Sequence, residues 1–154
     1  MESTDTLILL IALASTWAMT GLIWTIQVVH YPIFDAIERG ADSELWRRFA
    51  HRHTATISSV VGPFMFAEGA TGIWIVVSPP AGVSRALPLV ALGLMGVAYG
   101  VTALVSAPLH GQLAPRFDSA LHARLVRTNW VRATAWTLRA IVMCVITYAA
   151  ATRR

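Results

Sequence analysis

A chain of 154 residues, 56% apolar and only 13% charged, is one domain's worth of protein with too little charge for an ordinary soluble surface. Its net charge of +4 comes from arginines alone, most of them near the ends of predicted helices. Bilayer headgroups and the positive-inside bias account for them there, so nucleic acid is excluded as the partner they imply.

Four apolar stretches dominate: Leu7 to Phe34, Thr54 to Ser84 broken by Glu68, Ala86 to Pro115, and Ala133 to Thr152 broken by Arg139. Each is long enough to cross about 30 Å of hydrocarbon, and lipid cannot satisfy an open backbone, so each is a helix. The pattern predicts an all-α, integral-membrane four-helix bundle running up-down-up-down. Residues 1–154 form a single transmembrane domain with helices over about 7–34, 53–78, 86–110 and 119–151.

The first helix follows "MESTDT", which lacks a basic n-region, and it is too long for a signal h-region, so it is expected to stay in the mature protein. Trp17, Thr20, Trp24, Gln27 and Tyr31 run along one face, with His30 at its edge. The connection "DAIERGADSELWRRFAHRH" has a turn signal at Gly40, a cap at Asp42 or Ser43, and an interfacial helix over about 43–52.

On the second helix, Glu68 lies about 60° around the axis from His53, which makes His53 the inward candidate; His51 is turned about 200° from it. Pro63 is expected to loosen this helix and make room for a ligand. "SPPAGVSR" is a tight turn. The third helix has a polar stripe of Tyr99, Thr102, Ser106 and His110, and Pro108, Gly111 and Pro115 are expected to end it.

Asp118 is placed to cap the fourth helix or to join His122, at i, i+4, as a carboxylate ligand. Asp35 and Glu38 are nearby in sequence terms. His122, Asn129, Arg132, Trp136 and Arg139 form the inward stripe of that helix. Trp130 and Trp136 either line a pocket or anchor the interface, with packing the favoured role, and Cys144 reads as core packing.

Topology brings the histidines together. His30 ends the first helix, His53 begins the second, His110 ends the third and His122 begins the fourth, so all four lie at one end of the bundle. Imidazoles from facing helices suit iron or copper, and the four are the candidate metal ligands. Glu68 and Arg139 lie at matching depth and are expected to form a buried ion pair. Arginine is concentrated around the first and third connections, which places the histidine end in the cytoplasm and the protein in the cell's inner membrane as a multi-pass chain.

"QVVHYP" and "LVRTNWVRATAW" resemble elements of the anthrone oxygenase-like family of small four-helix membrane proteins. The resemblance covers the architecture and about a quarter of the residues. It implies an oxygen-using oxidoreductase, and it carries over His30, Asn129 and Arg132. Together these readings lead to a membrane oxidoreductase with iron or copper on the four histidines, a small apolar substrate drawn from the bilayer, and Asn129 and Arg132 as candidate catalytic groups orienting it. A histidine acting as general base is the variant without metal. The alternatives are a b-type haem electron-transfer protein and a non-enzymatic metal or small-solute carrier, which at this length requires a homo-oligomer.

Overall fold

The computed structural model describes residues 3–40 and 43–152. It is all-α, and each of its four long rods is apolar enough to cross a membrane. The first rod, α1, comprises Ser3–Thr25, a π turn Ile26–His30, and Tyr31–Gly40; α2 is Ser43–Val77. The third, α3, comprises Ala86–Val101, a π turn Thr102–Ser106, and Ala107–Leu113; α4 is Ser119–Thr152. Outward-facing Phe66 and Leu104, each 79% exposed, have no place on a water-facing surface and fit a surrounding of lipid.

The two π turns have a covalent cause. Proline has no N–H and its ring crowds the carbonyl four residues back. Pro32 stands in that relation to Val28, and Pro108 to Leu104. In each rod the turn before the proline widens: the Tyr31 N–H bonds to the Ile26 carbonyl, and the Ala107 N–H to the Thr102 carbonyl. Pro108 therefore does not end α3, as the sequence had suggested; the rod continues through Gly111 to Leu113 and stops before Pro115. Pro63 is carried inside α2 without a π turn, so the loosened turns lie before Pro32 and Pro108 instead.

The expected interfacial helix over 43–52 is not a separate element. It is the first part of α2, and the Trp46 indole N–H donates to the Leu113 carbonyl at 2.8 Å, satisfying an acceptor at the end of α3. Asp42 lies outside the described residues, as do the side chains of Ser43 and Glu38; Ser43 itself is the first residue of α2. Between α2 and α3, Val83 closes a turn onto the Pro80 carbonyl, with Gly82 at φ 78°, the left-handed region that glycine enters freely. Asp118 caps α4, its Oδ1 accepting from the Leu121 N–H at 2.9 Å.

Two apolar layers fill the bundle, with polar groups between them. One gathers Met19, Ile23, Tyr31, Phe34, Leu125 and Trp136, the other Leu9, Ala12, Ile75, Ala91, Met143 and Ile146. Between them lie Thr16, Glu68 and Arg139, all at 0% exposure. Trp17 and Trp24 were assigned inward with the polar face of α1, yet they point outward at 49% and 40% exposure. The inward line is Thr16, Thr20, Ile23, Gln27 and Tyr31, because hydroxyls and an amide need partners in hydrocarbon while an indole tolerates lipid. Trp24 meets Trp130 edge-on at 5.5 Å on that outer surface, whereas Trp136 is wholly buried. Cys144 also faces outward and is not core packing.

Candidate functional site

The widened turns of α1 and α3 place His30, Tyr31 and His110 beside His53 of α2. His30 Nε2 lies 3.0 Å from His53 Nδ1, a hydrogen bond that one neutral ring donates to the other. The His53 and His110 rings are 5.1 Å apart, and the Tyr31 hydroxyl is 3.5 Å from His110 Nε2, at the outer limit of a hydrogen bond. All four predicted histidines are thus at one end of the bundle.

They do not converge on one point. The Phe34 ring sits among them, with centroid distances of 5.0 Å to His30, 5.6 Å to His53, 6.2 Å to His110 and 5.7 Å to His122. His122 is turned to Asp35 instead, Nδ1 to Oδ1 at 3.1 Å, and its Nε2 is buried without a partner. Asp118, the carboxylate the spacing had offered to His122, is engaged in capping α4. Among the described residues no group of three or more histidine, cysteine or acidic side chains is arranged around an ion.

A cavity of about 450 Å³ opens beside this cluster. Tyr31, His53, His110 and Arg132 supply its polar wall, and Ile26, Ile57, Val61 and Met65 supply apolar walls. Its mouth lies between α2 and α3, the thinnest of the contacts between neighbouring rods. There the exposed lining residues Ser58, Gly62, Ala107 and Gly111 are small. That opening lies on the outer side of the bundle, between two of the membrane-length rods.

Behind the cavity the polar groups of α4 are held in sequence. Asn129 Nδ2 donates to Gln27 Oε1 at 2.7 Å, and Arg132 Nη1 donates to Asn129 Oδ1 at 3.1 Å. The Arg132 guanidinium also lies 5.5 Å from the centre of the Trp136 ring. The Trp136 indole N–H donates to Glu68 Oε2 at 2.9 Å, and Glu68 Oε1 accepts from Arg139 Nε at 3.1 Å. The ion pair expected between Glu68 and Arg139 is therefore present, though away from the cavity lining. Arg139 Nη1 donates to the Ala91 carbonyl at 2.6 Å. A Cβ on Gly72 would meet Arg139 Nη2 at 3.3 Å, so glycine leaves the guanidinium its space.

Phe34 has no place in the sequence reading of the site, where Tyr31 appears only on the polar face of the first helix and Asp35 only as a nearby carboxylate. The signal for Tyr31 and Phe34 is Pro32, whose widened turn presents them inward on either side of it. Comparison with protein-family models, curated proteins and solved structures gives no match to this chain.

Proposed function

We propose that this chain is an integral-membrane, oxygen-using oxidoreductase that admits a small, mainly apolar substrate between α2 and α3. The observation that carries the reading is the cavity, whose apolar walls end in His53, His110, Tyr31 and Arg132. Ligand sites of this kind combine a mostly apolar lining with a few convergent polar groups. The resemblance of "QVVHYP" and "LVRTNWVRATAW" to anthrone oxygenase-like proteins points the same way.

In this reading His110 is the general base, taking a proton from an activated methylene of the substrate. Arg132, held by Asn129, orients the substrate against it. Oxygen is the oxidant, and the balanced change is a methylene plus O2 giving a carbonyl plus water. The apolar enclosure keeps bulk water from the carbanion.

Iron or copper is the metal-dependent form of the same proposal, and the donor set fits in part. Two nitrogens on one ion at about 2.0–2.1 Å would lie about 3.3 Å apart in tetrahedral geometry, near the 3.0 Å between His30 and His53. His30 and His53 would hold it, with the His110 ring next to His53, and it would supply oxygen binding and one-electron chemistry. His122 stands with Asp35, apart from that pair. Haem gains no support from the geometry, because the imidazoles touch one another and Phe34 without a slot for a macrocycle. We place the histidine end on the cytoplasmic face of the inner membrane, on the arginine distribution.

The test is oxygen uptake by protein purified in mild detergent, over a panel of polycyclic phenols and anthrones, with elemental analysis of the same sample. Uptake that falls by about a hundredfold or more in His110→Ala supports the base. Metal that co-purifies and is lost in His53→Ala, but kept in His122→Ala, supports the metal-dependent form. No uptake on any member of the panel refutes the oxidoreductase.

A further inference from the structure

Two arginines of α4 are removed from water, Arg139 at 0% exposure and Arg132 at 6%. They are not equally compensated. Arg139 has the Glu68 carboxylate. Arg132 has no carboxylate partner among the described residues: Nη1 bonds a neutral amide, the guanidinium lies over the Trp136 ring, and Nε is buried with no acceptor at all. Asn129 is itself committed to Gln27, and the other polar groups near Arg132 at the cavity, Tyr31 and His110, are a phenol and an imidazole.

Guanidinium remains protonated in proteins, so the charge cannot be shed. Arg132 lies about 20 Å along the axis from the start of α4. A full positive charge in the wall of an apolar cavity, with no carboxylate beside it among the described residues, is a site awaiting an anion.

We propose that the ligand of this cavity is an apolar body bearing one anionic oxygen group, a carboxylate or phenolate, which becomes the counter-ion of Arg132. This rests on the cavity being the substrate site and narrows the substrate class. Asn129 is then a positioning residue, fixing the guanidinium through Nη1 at the cavity wall. The mouth of small residues passes the flat apolar part, and the bilayer holds the charged end at its surface until Arg132 accepts it.

The test uses a matched pair of probes, 9-anthracenecarboxylate and the uncharged 9-anthracenemethanol, titrated into full-length protein in neutral detergent micelles. Quenching of tryptophan fluorescence is read against protein-free micelles. A charged hydrogen bond favours the carboxylate by about tenfold or more. Arg132→Gln is expected to abolish that preference while still binding the alcohol. Ala107→Trp, which narrows the mouth and leaves Arg132 in place, is expected to weaken both probes and serves if Arg132→Gln yields no folded protein. Equal affinity for the two probes, binding of neither, a preference that Arg132→Gln retains, or carboxylate binding untouched by Ala107→Trp overturns the proposal. A carboxylate preference without oxygen uptake on any substrate leaves the anion site standing and removes the oxidoreductase. Uptake on uncharged substrates with no carboxylate preference does the reverse.

Discussion

Replacing Glu68 by leucine strands a guanidinium inside the bundle. Its carboxylate receives Arg139 Nε at 3.1 Å and the Trp136 indole at 2.9 Å, and neither donor has water to turn to. Two unit charges about 4 Å apart attract by about 4 kcal/mol at an effective dielectric constant near 20. Breaking a buried pair by removing one partner costs about 3–5 kcal/mol, because the other charge is left stranded. A neutral interhelical hydrogen bond in a membrane averages only about 0.6 kcal/mol, so the two kinds of contact are separable by size. Glu68→Leu and Arg139→Met should each lower stability by about 3–5 kcal/mol, measured by unfolding titration in mild detergent. The double variant Glu68→Leu/Arg139→Met should be more stable than either single variant, since no orphan charge remains. Single losses below about 1 kcal/mol, or a double variant whose loss equals their sum, would refute the reasoning.

The other expectations concern the histidine end and the topology. Asp35→Ala removes the partner of His122 Nδ1 and should cost about 1–3 kcal/mol; His122→Ala added to it should cost little more, as a double-mutant cycle will show. Asp118→Ala should lower stability by about 1 kcal/mol through loss of the cap on Leu121, while leaving any bound metal unchanged by elemental analysis. In intact cells, a cysteine at Arg85 should react with a charged, impermeant maleimide and a cysteine at Arg116 should not. The opposite pattern would invert the topology drawn from the arginines.

Much of the site's location was legible because it depends on few assumptions. Alternating helices carry His30, His53, His110 and His122 to one end whatever their exact bounds, and a count of residues at constant rise brings Glu68 level with Arg139. What failed depended on rotation and on side-chain choice. Spacing puts Trp17 and Trp24 on one face with Thr20, Gln27 and Tyr31, but their large apolar surface is at ease in lipid and they point outward. A π turn adds a residue to one turn and resets the faces beyond it; of the two prolines that cause it, Pro108 reads from the sequence as a breaker and Pro32 gives no separate signal there. The pairing of His122 with Asp35 in preference to Asp118 is set by rotamers and by packing around Phe34, which no spacing rule encodes.

The charges of α4 also bear on how the protein enters the membrane. On the scale set by translocon insertion, an arginine at the centre of a helix disfavours entry by about 2.5–3.5 kcal/mol, so Arg132 and Arg139 together oppose α4 by about 5–7 kcal/mol. It is the least apolar of the four spans and the most enclosed by the others. Glu68 reaches the membrane first, on α2, where it lacks a partner until α4 arrives. The last helix is therefore recruited by the first three, and the unfinished bundle exposes one carboxylate that marks where α4 belongs.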